Sequence, residues 1–262
     1  GAAARPGPLR CVWNAMDDMV IAYHDCVLRV RDVALLTGPH WLNDAVMSFY
    51  FEYLREEENA RCANLNASAR DGQPRRRDVV FVDATVSFLV ANVCATEAGS
   101  ILEQTGVNRA KHVLFLVNDN DDVRHAGGGS HWSLLVYIAP DAPGALDGGT
   151  FEHFDSMHGR NDEKAFALAG TLAAANALPG CRDVSVGGSF TKHHDVAQQR
   201  NGYDCGIFAL ATAETCVRVF TAEKTQKNSL ASIVAEDVSQ ETVRDMRGEL
   251  LRLVERLTEE NT

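Results

Sequence analysis

QQRNGYDCGIFALATAETCVRVF, residues 198–220, switches abruptly from turn-forming to buried sequence. Gly202 and Gly206 permit a tight turn, and the apolar run that begins at Cys205 reads as a buried helix, Cys205–Phe220. Cys205 therefore stands at a helix N-terminus. Unpaired N–H groups and the helix dipole stabilise a thiolate there. A cysteine titrates near ~8.5, and this position plus a protonated histidine lowers that by several units. Taken alone, Cys205 also fits the blander reading of a packed core thiol.

Two strands upstream supply the rest of a nucleophilic set. HWSLLVYI (131–138) and TFEHFD (150–155) are joined by APDAPGALDGG, an 11-residue connection rich in Gly and Pro. Neighbouring strands so joined are usually antiparallel. The start of the first then lies beside the end of the second, which brings His131 to Asp155. His131 is placed to take the Cys205 proton, and Asp155 to fix the imidazole tautomer and orientation. Gln199, six residues before Cys205, can aim its amide at a reacting carbonyl as an oxyanion donor. Gln198 is its rival, and spacing does not choose between them. Asp204 is a possible second acid, with a helix cap as its simpler role.

The remaining cysteines and histidines have no such setting. Cys26, Cys94 and Cys216 read as core, and Cys11, Cys62 and Cys181 as loop residues. The doublet His193–His194 reads as surface.

Around this centre the chain reads as α+β, with strands flanked by helices. Residues 1–18 read as a mobile tail, with a strapped-down arm using Trp13 as the alternative, and ordered structure is expected from Met19 to residue 262. A strand near Cys26–Val30 precedes a helix over 42–54, whose Val46, Phe49, Tyr50 and Tyr53 fall at helical spacing. Asn43 or Asp44 can cap it. Residues 56–77 read as a fraying helix end and loop, in which Arg75–Arg77 is a solvated run or a binding patch. Strands are expected at 79–82, 112–117 and 184–186, one or two helices within 85–106, and helices at 162–176 and 241–257. The last buries Val243, Met246, Leu250, Val254 and Leu257 on one face. A polar, glycine-rich loop spans Asn118–Gly129.

With 262 residues the chain suits one large domain or two small ones. The net charge of −11 opposes nucleic-acid binding and suits a basic protein or peptide tail. No run is long and apolar enough to span a membrane, and no leader pattern is expected at the start. Seven cysteines without a C-x-x-C pair argue against a disulfide framework and a zinc site. The expected compartment is reducing, cytoplasm or nucleus.

WLND (41–44), GGSHWSLLVY (128–137), HFDS (153–156) and QQRNGYDCG (198–206) together resemble the Ulp/sentrin-specific proteases of ubiquitin-like proteins. MVIAYHDCVLRVRDVALL (19–36), NDN (118–120) and NGYDCG are most similar to the deneddylase branch of that class. The resemblance implies a papain-like α+β fold and a cysteine isopeptidase acting after a modifier's Gly-Gly, the neddylation modifier favoured. It implies Cys205, His131 and Asp155 as triad and Gln199 as oxyanion donor. Trp41 and Trp132 match residues that close over the Gly-Gly tail, Asp44 matches the acid of WLND, and the loop beginning at Asn118 matches a segment that grips the modifier. Without the family, Trp41 fits core packing beside Pro39 equally well. Trp132 points away from His131 if the strand is regular. No cofactor or metal is implied, and a monomer is expected. The alternatives are SUMO or ubiquitin specificity on the same scaffold, a catalytically silent modifier-binding module, and acyl transfer from an acyl-CoA.

Overall fold

The computed structural model describes residues 16–68, 78–122, 124, 128–141, 148–185, 187–222 and 228–261. Most of the expected tail, with Trp13 and Cys11, lies outside these residues, as do Arg75–Arg77. Order begins before Met19. The carbonyls of Met16 and Asp18 accept from Arg31 and Val30 backbone N–H at 3.0 and 2.9 Å.

A two-stranded hairpin, β1 (Met19–Tyr23) and β2 (Cys26–Arg29), leads into short helix α1 (Val30–Ala34) and long helix α2 (Asp44–Ser68). Then come β3 (Val79–Val82), α3 (Ala84–Ala91), α4 (Ala95–Leu102), β4 (His112–Asn118), β5 (Trp132–Ile138), β6 (Thr150–Phe154) and α5 (Asp162–Ala174). The chain closes with β7 (Phe190–His193), α6 (Cys205–Phe220), α7 (Leu230–Asp237) and α8 (Gln240–Glu260). The strands β3 to β7 form one mixed sheet in chain order. Its outer pairs, β3–β4 and β6–β7, are parallel, and its inner pairs, β4–β5 and β5–β6, are antiparallel.

Both faces of the sheet are covered, so its central strands are continuously apolar. Leu114, Leu116, Leu134, Val136 and Phe154 pack towards α2, α6 and α8. The alternate residues Val113, Phe115, Val117, Leu135 and Tyr137 pack with residues of α3, α4 and α5. This period of two fixes the register, because a one-residue slip would exchange the two cores. The tip of α6 lies close against the chain entering α2. A Cβ on Gly206 would stand 3.1 Å from Leu42 Cβ and 3.1 Å from Met47 Sδ, so a side chain there would press on both.

The sequence expectations fail in four places. Helix α2 does not fray at residue 56 but runs to Ser68. No Gly or Pro interrupts it, Glu58 is buried, and Arg61 grips Glu58 at 2.5 and 2.7 Å. Cys62 is consequently a buried helical residue, not a loop thiol, while Cys94, expected in the core, is exposed at the start of α4. The expected strand at 184–186 is absent: Val184 and Ser185 lie in a turn, and residue 186 lies outside the described residues. The strand instead forms at Phe190–His193, so His193 is an edge-strand residue. It bonds Glu152 and stacks on Phe154, with ring centroids 4.7 Å apart.

Candidate active site

Three element ends converge at one end of the sheet's inner strands. His131 immediately precedes β5, Asp155 immediately follows β6, and Cys205 is the first residue of α6. The β5–β6 pairing is antiparallel, with Leu134 opposite Phe154, which sets His131 beside Asp155. His131 Nε2 lies 2.7 Å from Asp155 Oδ1, and both side chains are fully buried. Asp155 Oδ1 also accepts the Met157 N–H at 2.7 Å, and Oδ2 accepts the Asn161 N–H at 2.8 Å.

These contacts set the charges. Burial disfavours the imidazolium, but the Asp155 hydrogen bond and the nearness of the Asp155 and Cys205 charges outweigh it and raise His131 to about 9. For Asp155, burial pushes upward, while the His131 hydrogen bond and charge and the two backbone donors pull further down, so its carboxyl sits below the usual range. With Nε2 held by Asp155, Nδ1 is the nitrogen left for the thiol. It is buried and has no hydrogen bond of good geometry within the described residues. Such contacts tighten when substrate enters.

A groove opens over these groups. Trp41, Asp44, Asn118, His131, Trp132 and Cys205 all line it, and Leu35 and Phe88 form apolar wall farther along. Trp132 keeps the alternation of β5, packing with Leu134 and Val136, and at the strand's end it still reaches the groove lining. It is buried, and its Nε1 donates to Leu42 O at 2.8 Å. Trp41 is 53 % exposed, so the core-packing reading fails; its Nε1 donates to Gly202 O across the groove. Asp44 opens α2, whose cap is Asn43: Asn43 Oδ1 accepts the Val46 N–H at 3.1 Å. At the foot of the glycine-rich loop, Asn118 Oδ1 accepts the Asn120 N–H at 2.9 Å. Gly129, with φ +85°, passes so close that any Cβ would run into Asn118 Oδ1.

Gln199 is not among the groove-lining residues. Its Oε1 accepts from Ser156 Oγ at 2.8 Å, and its Nε2 donates one hydrogen to Asn201 O at 2.7 Å. Gln198 is tied elsewhere, donating to Asp155 O and Val196 O at 3.1 and 3.0 Å. Asp204 does not cap α6 with its side chain. It accepts from Arg247 Nη2 at 2.6 Å and from Asn201 Nδ2 at 2.7 Å.

Several residues that shape the site went unread in the sequence. Asp119 accepts from Ser130 Oγ and from the His131 backbone N–H, both at 2.9 Å, and so fixes the entry to β5. Asn161 reads as a helix cap by position, yet its side chain makes no cap and bonds Val117 O, His131 O and Ser133 Oγ instead. Arg247, near the middle of α8, would have looked like an exposed helical charge.

Residues 40–250 match the model of the Ulp1 protease family, C-terminal catalytic domain. The chain belongs to the Ulp1 protease family. It is a cysteine peptidase. Among relatives of this family, NEDD8-specific protease 1 of Arabidopsis thaliana is 32 % identical over 248 residues, covering 94 % of this chain and 96 % of that protein. Human sentrin-specific protease 8 is 31 % identical over 212 residues, 80 % of this chain and 87 % of the relative. The Ulp1 fold is seen directly in the solved Ulp1 protease domain in complex with Smt3, the yeast ortholog of SUMO. That structure superposes with a TM-score of 0.57 at 16 % identity, over 90 % of this chain and 86 % of the other.

Proposed function

We propose that this peptidase is a deneddylase, cutting after the C-terminal Gly-Gly of the neddylation modifier to mature it or release it from conjugates. The single observation that carries the chemistry is the buried His131–Asp155 pair, 2.7 Å apart, beneath a groove that is also lined by Cys205, itself almost wholly buried at the tip of α6. The specificity rests on the plant relative, which is named as NEDD8-specific.

In this reading Cys205 Sγ attacks the carbonyl carbon of the terminal glycine. His131 gives its proton to the departing amine, a lysine Nε in a conjugate, and a thioester remains on Cys205. Water, deprotonated by His131, then attacks the thioester and frees the glycine carboxylate and the thiol. The Cys205 backbone N–H and the second Nε2 hydrogen of Gln199 are the groups to hold the oxyanion, Gln199 after turning from Asn201. Trp41 and Trp132, which both line the groove, are the residues to wall a slot that admits glycine and no larger side chain. The charge of −11 supports attraction of a basic modifier tail, and the reading places the protein in cytoplasm or nucleus, where such a thiol stays reduced. It acts as a monomer and needs no cofactor.

A panel of modifiers carrying a C-terminal electrophile tests this. The neddylation modifier should label Cys205, and Cys205→Ala should abolish both labelling and cleavage. Labelling by SUMO or ubiquitin in preference reverses the specificity. Tight binding without turnover would mean a silent binding module.

A further inference from the structure

Near the His131–Asp155 pair lies a Ser–His–Asp array, formed by Ser133, His153 and Asp162. His153 Nε2 is 2.9 Å from Ser133 Oγ, and His153 Nδ1 is 3.0 Å from Asp162 Oδ1. It resembles a hydrolytic triad in its distances only. Ser133 and His153 are sealed in the protein, so no substrate reaches that hydroxyl.

The array has a direction. A carboxylate only accepts, so His153 Nδ1 carries the proton and donates to Asp162. In the neutral ring Nε2 is then an acceptor, and Ser133 O–H must donate to it. The Ser133 oxygen is left to accept, and Asn161 Nδ2 supplies a donor at 3.1 Å. The chain thus runs Asn161 to Ser133 to His153 to Asp162. Its far end is anchored by Lys192 Nζ and His194 Nε2, 3.2 and 2.9 Å from Asp162 Oδ2. Asn161 turns its NH2, not its carbonyl, towards Ser133, and Val117 O and His131 O, 3.2 and 3.3 Å from the same NH2, favour that orientation too. Its own Oδ1 remains buried and without a hydrogen-bond partner among the described residues, the cost of this orientation.

We propose that Ser133, His153 and Asp162 are a buried orienting relay that locks Asn161, and that Asn161 is the positioning residue which aims Asp155 at His131. Asn161 touches both partners: its backbone N–H holds Asp155 Oδ2 at 2.8 Å, and its side chain holds the His131 carbonyl. The inference rests on the thiol-nucleophile reading but not on the identity of the modifier. Loosening Asn161 turns Asp155 away from the imidazolium and lowers the His131 pKa. The ring faces Asp155 and Cys205, and Asp119, itself paired with Arg160, holds the His131 backbone, so no other charge makes good the loss.

The test needs no modifier. Cys205 alkylation by iodoacetamide is followed against pH by peptide mass spectrometry in wild type, Ser133→Ala, His153→Gln, Asn161→Ala and the Ser133→Ala/Asn161→Ala double variant, alongside urea midpoints and kcat and KM on a cleavable conjugate. The upper ionisation of the alkylation profile should move down by about half to one unit in each variant, as expected when an imidazolium loses part of its counter-charge. The kcat should fall by about ten- to a hundredfold with KM little changed. The double variant should resemble Asn161→Ala alone, because both changes cut one chain. If Ser133→Ala and His153→Gln lower the urea midpoint but leave the upper ionisation and kcat where they were, the array is only packing and the inference is overturned. If wild-type Cys205 reacts no faster than the other thiols at about pH 6, the thiolate reading itself falls, which is a separate failure.

Discussion

Arg247, on the last helix, donates to Asp204, the residue just before Cys205 and helix α6, with Nη2 2.6 Å from Oδ1. The same guanidinium donates to Leu35 O at 2.6 Å and to His40 O at 3.1 Å. One side chain therefore braces both rims of the groove, the one carrying Trp41 and the one carrying Cys205. Arg247→Ala leaves Asp204 without its ion partner in a mostly buried place and should cost about 3 kcal/mol of stability. Arg247→Lys keeps the charge but not the fork, and should recover only part of that loss. Urea unfolding of the two variants measures the difference; equal stability of wild type and Arg247→Ala would contradict the brace.

The reactive pair should give the protein a pH signature. His131 is raised to about 9, whereas in the unfolded chain it titrates near ~6.5. Its contribution to stability is therefore whole below ~6.5 and is lost as pH rises through about 9. Asp155 is lowered, so its contribution is whole above its unfolded value of ~3.9 and is lost as pH falls through the folded one. The stability gap between wild type and His131→Gln should be widest between about pH 4 and 6.5 and close towards pH 9. Activity should show an alkaline limb near 9; a limb near 6.5 would mean that Asp155 does not support the imidazolium.

Gly129→Ala tests the foot of the groove. The φ of +85° disfavours any side chain, and the new methyl would displace Asn118. A cost of about 1–2 kcal/mol in stability is expected from the backbone alone. KM should rise because Asn118 lines the groove. Thermal unfolding and steady-state kinetics read the two effects separately.

Trp41→Ala should do the reverse. Half of that side chain is already in water, so stability should change by less than about 1 kcal/mol. Tail binding should weaken, with KM for a modifier conjugate up by about tenfold or more. Trp41→Phe, which keeps a ring but loses the bond to Gly202 O, should fall between. An unchanged KM in Trp41→Ala would remove Trp41 from the substrate slot.

The meeting of His131, Asp155 and Cys205 was legible because each sits at the end of a strongly patterned element. HWSLLVYI and TFEHFD could only be buried neighbouring strands, and the antiparallel geometry of such a pair delivers His131 to Asp155. Cys205 announced itself by the switch from NGYD to an apolar helix. Asn161, Ser133, His153 and Asp162 were not legible, because their meeting depends on the register of β5 on β6 and on where α5 begins. A hydrophobic pattern does not encode side-chain hydrogen bonds of that kind. Strand β7 escaped because FTKH has one apolar residue and owes its form to pairing with β6. Helix α2 outran its apolar pattern on the strength of Glu58 and Arg61, a local ion pair with no hydrophobic signature.

The brace from α8 also orders events in time. As the chain leaves the ribosome, His131, Asp155 and Cys205 all appear before Arg247, which follows Asp204 by 43 positions. A nascent chain that ends at Phe220 would hold every reactive group yet lack the clasp that sets the two rims. Peptidase power should thus arrive late in synthesis, after the cell has made nearly all of the domain.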